Sequence, residues 1–93
     1  MNFNDLVVNS DEKLCYLRNN PLNLTKSEYN LLTFLLENQN KIFSRENLIK
    51  EAWTEPVSTR AVDTAVSRLR KKLENYNKHL ITRLGFGYGW FKD

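Results

Sequence analysis

Residue types that support catalysis, metal binding or covalent cross-linking are scarce in this sequence. The 93 residues contain one cysteine, Cys15, so no disulfide can form within the chain. Its apolar surroundings predict a small buried strand residue rather than a nucleophile. The one histidine, His79, has no partners at metal-ligand spacing and is expected at the surface or at a strand edge. The sequence therefore predicts no metal site and no catalytic residue.

All three glycines lie close to the C-terminus, in Gly85-Phe86-Gly87-Tyr88-Gly89. This order does not fit the phosphate-binding pattern GxGxxG, and no helix follows that would receive a phosphate. Turn geometry accounts for the glycines, because glycine adopts backbone conformations that other residues avoid. The sequence thus predicts no cofactor and no small-molecule substrate, and an enzyme is not expected.

Long hydrophobic runs are also missing. No apolar segment approaches the roughly 20 residues that a membrane-spanning helix requires. The first residues, MNFNDLVVNSDEK, have neither a basic start nor an apolar core, so no export signal and no membrane partner are expected. With a hydrophobic content of 41% and an aromatic content of 12%, the chain suits a single globular domain in the cytoplasm.

Positive charge is concentrated in the C-terminal half. Residues 1–40 hold three Lys or Arg against five Asp or Glu, whereas residues 41–93 hold eleven against six. Seven basic residues lie between Ser58 and Arg83, where the only acidic residues are Asp63 and Glu74. Such asymmetry is typical of proteins that bind a polyanion, most often nucleic acid.

The first 24 residues have the pattern of a small antiparallel sheet. Residues 3–8 and 13–18 are rich in strand-forming types, and residues 22–24 alternate apolar and polar side chains. Clusters of asparagine, serine and aspartate separate these segments and predict turns. So small a sheet is expected to lie against helices.

Capping signals then predict two helices. Thr25 and Glu28 form a capping box, in which each side chain covers a free backbone amide of the first turn. This helix is expected to end near Asn38, and residues 41–43 form an extended link long enough for one more strand. Ser44 caps the second helix, which Pro56 ends by disfavouring helical geometry in the preceding residue.

A third helix is predicted over residues 59–74, with Ser58 or Thr59 as its N-cap. At 3.6 residues per turn, its apolar stripe consists of Val62, Ala65, Val66, Leu69 and Leu73. The opposite stripe consists of Arg60, Thr64, Ser67 and Lys71, with Arg68 at its edge. Such a helix can pack one side into a core and present the other to an anion. For this segment alone, an ordinary surface helix with solvated charges remains the alternative.

A hairpin pattern follows, with strands at residues 80–84 and 88–91 and a turn at 85–87. Two helices, a short turn and a basic helix are the order of a helix-turn-helix, and a hairpin after them is the winged-helix plan. The predicted fold class is α+β, a winged helix-turn-helix. Its parts are an N-terminal antiparallel sheet over 1–24, three helices over 25–75 and a hairpin wing over 79–92, in one domain over 1–93.

Spaced motifs along the whole chain resemble those of one family. They are Leu24-Thr25, Glu28-Tyr29, Leu31-Leu32, Ser44-Arg45-Glu46 with Leu48, Trp53, Arg60, Val62-Asp63, the run Arg68 to Leu73, and Gly85-Phe86-Gly87-Tyr88. In this order they resemble the winged-helix DNA-binding domain of OmpR/PhoB-type proteins. The resemblance implies the output domain of a bacterial two-component response regulator, which regulates transcription by binding promoter double-stranded DNA.

The resemblance also assigns residues to DNA by position. In that family the third helix enters the major groove, and the wing, here residues 80–91, reaches an adjacent minor groove. The base-reading positions are occupied by Asp63, Thr64 and Arg68. The backbone-contact or flanking positions are occupied by Arg60, Ser67, Arg70 and Lys71. Many relatives have an arginine just before the first wing glycine, where this chain has Leu84, and Arg83 lies one position earlier as a candidate backbone contact.

The chemistry of three assigned residues leaves alternatives open. Arg68 can bond guanine O6 and N7 together, or it can be a solvated arginine at the edge of the core. Asp63 would repel phosphate unless it accepts a bond from a cytosine amine or orients a nearby arginine; it equally suits the start of a helix. Arg70 lies nearer the buried side, where an intramolecular ion pair competes with DNA contact.

The resemblance implies three further partners. The loop Thr54, Glu55, Pro56 and Val57 corresponds to a contact with RNA polymerase. Tandem head-to-tail dimers on DNA and a receiver domain in the full-length protein are also expected. The alternative function is a winged helix that binds proteins, with the basic face meeting an acidic partner.

Overall fold

Three helices lie between two antiparallel sheets along the chain in the computed structural model, which describes residues 1–92. The elements are β1 (Asn2–Phe3), β2 (Leu6–Asn9), β3 (Leu14–Leu17), β4 (Asn20–Pro21), α1 (Lys26–Glu37), α2 (Arg45–Ala52), α3 (Thr59–Lys72), a 3₁₀ helix (Glu74–His79), β5 (Leu80–Arg83) and β6 (Gly87–Trp90). This order is that of the predicted winged helix. The hairpin β5–β6 is called the wing below.

The N-terminal sheet has four strands in the order β1-β2-β3-β4, with every neighbouring pair antiparallel. The prediction of one continuous strand over residues 3–8 was wrong. Asn4 has a φ of 53°, and the chain reverses there so that Phe3 pairs with Leu6. Asparagine tolerates this left-handed conformation better than most residues, which makes it suitable for such a tight turn.

The prediction of a third strand at residues 22–24 was also wrong. Arg18 and Asn19 have φ values of 49° and 67°, and they form a two-residue turn that pairs Leu17 with Asn20. Two central residues with positive φ match the right-handed twist of the flanking strands. The last strand of the N-terminal sheet is therefore Asn20–Pro21, which comes earlier in the chain than the predicted strand at 22–24.

The capping box of α1 is confirmed. Thr25 Oγ1 accepts a bond from the Glu28 amide at 3.2 Å, and Glu28 Oε1 accepts one from the Thr25 amide at 3.0 Å. The predicted cap of α2 is confirmed as well, because Ser44 Oγ accepts a bond from the Asn47 amide at 3.1 Å. Short polar side chains thus set where both helices begin.

α3 begins at Thr59, as predicted, and ends at Lys72, two residues before the predicted end. Ser58 is the N-cap residue, but its side chain makes no cap hydrogen bond. The amide of Ala61 donates to the Ser58 carbonyl at 3.0 Å, so it does not need the hydroxyl. At the other end, Glu74 has a φ of 55°, which stops the α-helix at Lys72 and starts the 3₁₀ helix.

The wing is attached to the link before α2. Phe43 and Tyr88 exchange two backbone hydrogen bonds, at 2.8 and 3.0 Å, so part of the predicted extended link pairs with β6. A Cβ atom on Gly87 would lie 1.9 Å from the Phe43 carbonyl oxygen, and one on Gly89 would lie 2.1 Å from that of Lys41. Gly87 was predicted in the turn, but it begins β6, where close backbone contact requires glycine.

One hydrophobic core joins the two sheets and the three α-helices. It includes Leu6 and Leu17 of the N-terminal sheet, Leu35 of α1, Leu69 of α3 and Trp90 of the wing. Burial there explains why the short sheets are stable, since two-stranded hairpins are marginal alone in water.

The cysteine of β3 belongs to this core. Cys15 is fully buried, and burial raises the pKa of its thiol to about 11. The thiol therefore stays protonated at neutral pH, which agrees with the predicted role as a small apolar residue.

A buried ion pair joins the start of α1 to the end of α3. Lys72 Nζ donates to Glu28 Oε1 at 2.6 Å, and Glu28 is only 1% exposed. The same carboxylate oxygen closes the capping box with the Thr25 amide. The buried Glu28 carboxylate thereby accepts a bond from a free backbone amide at the start of α1 and anchors the last turn of α3.

We expect Lys72→Met to lower the free energy of unfolding by about 3 kcal/mol, because removing one partner leaves a buried charge without compensation. The value lies at the low end for such pairs, since the Lys72 side chain is 31% exposed. Methionine keeps a stem of similar length, so the change isolates the ammonium group. Urea unfolding of both proteins measures the difference.

The matched control is Lys71→Met, the same substitution at the exposed neighbouring position. It should change stability by no more than about 0.5 kcal/mol. Equal losses in the two variants would contradict a structural role for the Glu28–Lys72 pair.

Candidate nucleic acid interface

The polar stripe predicted for α3 lies on the surface. The apolar side of the helix, including Val62, Ala65, Val66 and Leu69, is buried against the core. The exposed side carries Arg60, Thr64, Ser67, Arg68 and Lys71. Three positive charges and two hydroxyl groups therefore share one face of a helix whose opposite face is fixed by packing. We call these five residues the basic stripe.

An open groove runs beside the basic stripe. Arg60, Thr64 and Arg68 line it on the α3 side, and Trp53 and the first residues of α1 line the other side. Its volume is about 400 Å³. The side chains at these three positions, spaced four residues apart, thus have room to meet a ligand along about two turns of the helix.

Asp63 lies at the edge of α3 that faces the wing. Its Oδ1 accepts a bond from Arg45 Nε of α2 at 2.9 Å and another from the Tyr88 hydroxyl of β6. One carboxylate thus joins α2, α3 and the wing. Of the alternatives for Asp63, this geometry supports the one in which its carboxylate orients a nearby arginine. We call Asp63, Arg45 and Tyr88 the carboxylate junction.

The carboxylate junction keeps its donors protonated. Hydrogen bonding to Asp63 raises the pKa of Arg45 above its usual value. Burial raises the pKa of Tyr88, and the bond to Asp63 raises it further. Both groups therefore remain donors at neutral pH, and the phenol would lose its proton only above its ordinary value of 10.

Arg70 turns away from the basic stripe toward the wing. Its guanidinium donates to the Leu80 carbonyl from Nε at 3.3 Å and from Nη2 at 2.8 Å, and Nη2 also donates to Thr82 Oγ1 at 2.6 Å. These are intramolecular bonds to neutral acceptors rather than the ion pair that was considered. They hold β5 against the last turns of α3.

Arg83 lies at the end of β5, apart from the basic stripe. Its guanidinium carbon is 5.9 Å from the centre of the Phe91 ring, within the range of a cation–π contact. The side chain is exposed, and its strand partner is Gly87. The next residues, Leu84 and Phe86, form the exposed tip of the wing.

The loop between α2 and α3 is also accessible. Thr54, Glu55 and Pro56 are exposed and Val57 is half-buried. Thr54 Oγ1 donates to the Glu55 carboxylate at 3.2 Å, which keeps both polar groups close to the loop. The loop leads directly into the exposed start of α3.

Arg45 is a candidate site residue to which sequence reasoning gave no role. It is the first residue of α2, about half exposed, and it lines a cavity of about 250 Å³ between α2 and the wing tip. Its Nε donates to Asp63 at 2.9 Å. Its place directly after the cap residue Ser44 was the available signal, because helix starts attract anions.

Within residues 1–92, no three His, Cys, Asp or Glu side chains are arranged to hold a metal ion. None of the helices in this part of the chain is both long and apolar enough to span a membrane.

The sequence profile of the family "Transcriptional regulatory protein, C terminal" matches residues 19–90. This range covers all three helices and the wing. The chain belongs to this family. As an OmpR/PhoB-type DNA-binding domain of a response regulator, it has the predicted α+β winged-helix fold class, and the predicted family is confirmed.

Individual relatives agree with this assignment. The transcriptional regulatory protein SrrA of Staphylococcus aureus is 40% identical in an alignment of 92 residues. The match covers 92% of this chain and 38% of SrrA. The DNA-binding domain of the response regulator AdeR, solved in complex with an intercistronic region, is 31% identical with a TM-score of 0.89 over 98% of both chains. The OmpR/PhoB homologue DrrB of Thermotoga maritima is 35% identical with a TM-score of 0.85, over 98% of this chain and 43% of DrrB.

This chain therefore spans less than half of the length of the regulators SrrA and DrrB. Membership in a family of DNA-binding transcription regulators confirms the predicted class of function and does not favour the protein-binding alternative.

The carboxylate junction makes a quantitative prediction about stability. We expect Asp63→Ala to lower the free energy of unfolding by about 2 kcal/mol, because it removes the acceptor of the partly buried Tyr88 hydroxyl. Tyr88→Phe should cost only about 1 kcal/mol, since the partly exposed carboxylate keeps Arg45. Urea unfolding of the single and double variants measures the coupling between the two residues.

The double variant should lose less than the sum of the single losses, as expected for residues in contact. Glu51→Ala, which removes an exposed carboxylate from α2, is the control and should change stability by at most about 0.5 kcal/mol. Additive losses at Asp63 and Tyr88 would show that their bond contributes nothing.

Proposed function

We propose that this domain binds specific sites in duplex DNA by placing α3 in the major groove, and so regulates transcription. The basic stripe carries the proposal, because it presents three charges and two hydroxyl groups on the exposed face of a helix that is buried on its other side. The major groove is wide enough to admit such a helix. The similar AdeR domain, which was solved in complex with an intercistronic region, supports DNA binding by this domain.

The residues of the basic stripe divide by reach and chemistry. Arg68 is the proposed reader of guanine, because its guanidinium can bond O6 and N7 together. Thr64 lies one turn earlier on the same side and can offer its methyl group to thymine. Arg60, Ser67 and Lys71 are proposed phosphate ligands, which set the orientation of the helix without reading sequence.

Four residues outside the basic stripe have supporting roles in the proposal. Asp63 orients Arg45 through the bond to its Nε, and Arg45 binds a phosphate beside the start of α2. Any base contact by Asp63 would have to share the carboxylate with Arg45 and Tyr88. Arg70 acts indirectly, because it holds β5 of the wing in place. Its remaining nitrogen, Nη1, is left for a contact with the DNA backbone. Arg83 is proposed to contact the backbone from the base of the wing tip.

Further partners of the full-length protein belong to the same proposal. A receiver domain is expected elsewhere in the full-length protein, as the resemblance to two-component response regulators implies. Tandem head-to-tail dimers on DNA are proposed because the resemblance to the OmpR/PhoB type implies them. The exposed loop over residues 54–57 is the proposed contact with RNA polymerase. We propose that DNA binding takes place in the cytoplasm and that the domain catalyses no reaction.

Selection of bound sites from a pool of random duplexes tests the proposal. We expect a recurring sequence to emerge, and repeated half-sites would indicate tandem dimers. Affinity for the selected site should fall steeply between low and moderate salt, because each neutralised phosphate releases counterions. Binding that is insensitive to salt, or a pool that stays random, would contradict the proposal.

Two substitutions separate base reading from phosphate contact. Arg68→Ala should cost about 1–3 kcal/mol on the selected site and much less on random duplex DNA. Fluorescence anisotropy on both duplexes measures the difference. Equal losses on the two duplexes would make Arg68 a phosphate ligand.

Lys71→Ala is the matched comparison on the same helix face. It should weaken binding to both duplexes alike and reduce the slope of log affinity against log salt by about one unit. An unchanged slope would remove Lys71 from the interface.

A further inference from the structure

A positively charged cavity lies at the base of the wing, and no residue of the basic stripe lines it. Its volume is about 490 Å³, and its lining includes Lys78 and His79 from the end of the 3₁₀ helix and Lys92 from the segment after β6. Three amide side chains also line it: Asn2, Asn4 and Gln39. No Asp or Glu of residues 1–92 is among the lining residues. Positive charge around a concave surface favours an anionic ligand. We call this space the wing-base cavity.

The imidazole of His79 is held in one orientation and one tautomer. Nδ1 lies 2.8 Å from the Phe91 carbonyl oxygen, and the Phe91 amide donates to the His79 carbonyl at 2.9 Å. Because a carbonyl oxygen only accepts, Nδ1 carries a proton, and Nε2 is left for a ligand. The ring also stacks on the buried Trp90, with centroids 5.5 Å apart, and meets the Phe3 ring edge-on at 4.8 Å. This part of the cavity wall is therefore fixed before any ligand binds.

The two lysines of the wing-base cavity have fixed backbones and available ammonium groups. The Lys92 amide donates to Asn40 Oδ1 at 3.2 Å, and the Asn40 amide donates to the Trp90 carbonyl at 2.7 Å. Lys78 lies in the 3₁₀ helix directly before His79. Within residues 1–92, no carboxylate lies within ion-pair distance of either ammonium group. Lysine stems are flexible, so both charges can reach one ligand beside the fixed imidazole.

We propose that the wing-base cavity binds the diphosphate group of a small molecule. Phosphate oxygens accept several hydrogen bonds at once, and lysine is a common ligand for them. Lys78 and Lys92 belong to different segments, so each can neutralise one of the two phosphates. A bound anion favours the protonated form of His79, in which Nε2 also donates. The cavity volume lies within the range of small-molecule sites, roughly 300–1,000 Å³.

This inference goes beyond the proposed function and does not depend on it. The wing-base cavity and the basic stripe share no residue. The four residues of β5 separate His79 from the tip of the wing, which is about 13 Å of extended chain. A diphosphate bound at the base of the wing therefore leaves the basic stripe accessible.

The test is a titration of the domain with inorganic pyrophosphate, followed by NMR of the His79 imidazole. The chain has one histidine, so the ring signals are unambiguous. Sodium chloride keeps the ionic strength constant, and the buffer contains no phosphate. We expect the His79 signals to shift and to saturate, which gives a dissociation constant. Arg68→Ala should leave this constant unchanged, because Arg68 belongs to the basic stripe.

The double variant Lys78→Met, Lys92→Met should bind pyrophosphate about tenfold more weakly or worse, because it removes two charged hydrogen-bond donors. The matched control is Lys26→Met, Lys50→Met, which removes the same charge from exposed positions outside the cavity and should bind like the wild type. All four lysines are exposed, so thermal unfolding should show that both variants fold. If the first double variant does not fold, the single variants at Lys78 and Lys92 replace it.

The same titration with ADP identifies the source of the diphosphate. Tighter binding of ADP than of pyrophosphate assigns the cavity to a nucleotide, whereas equal or weaker binding assigns it to the diphosphate alone; both results support the inference.

Three results would overturn the inference. The first is the absence of a saturating shift at His79, and the second is equal affinity in the Lys78 and Lys92 double variant. The third is an equal shift with sodium sulfate, which would indicate an adventitious ion only. A short duplex that shifts the His79 signals when pyrophosphate does not would assign the cavity to DNA, and the inference would also fail. Saturating pyrophosphate binding by a domain that selects no duplex would contradict only the proposed function.

Discussion

The relative positions of α2, α3 and the wing depend on one carboxylate. Asp63 accepts bonds from Arg45 of α2 and from the buried Tyr88 of β6, and so holds together three elements that are distant in sequence. Because two donors share a single oxygen, a shift of the wing or of α2 would leave a donor unpaired, and the loss would be most costly for Tyr88, which is only 6% exposed. The relative placement of α2, α3 and the wing is thereby restricted to a narrow range.

Two further contacts complete the support of α3. Lys72 bonds to the buried Glu28 at the end of the helix, and Arg70 bonds to β5 along its side. Charged residues of α3 thus have two separate tasks. Those on the flanks hold the scaffold, whereas Arg60, Arg68 and Lys71 remain exposed. Under the proposed function, Arg70 and Lys72 would support recognition by holding this surface in place, because a preorganised surface loses little conformational entropy on binding.

Local sequence predicted the helices well and the small strands poorly. Thr25, Glu28 and Ser44 act on amides within three residues, so capping could be predicted from nearby residues alone. The strand errors arose at Asn4 and at Arg18-Asn19, where positive φ values moved the turns. An arginine gives little indication of such a conformation, and the turn there is set by pairing between Leu17 and Asn20.

The order of the three helices and the wing, and the exposed face of α3, could be predicted from local patterns, because periodicity and capping are local properties. Spaced motifs along the chain indicated the family. The partners of the charged side chains became known only from the folded structure. Asp63 and Arg70 resemble DNA contacts in the sequence, yet they bond to Tyr88 and Leu80, which lie 25 and 10 residues further on. Those partners are brought close by core packing, and a bond that depends on packing between distant segments cannot be derived from the helix that carries one of its ends.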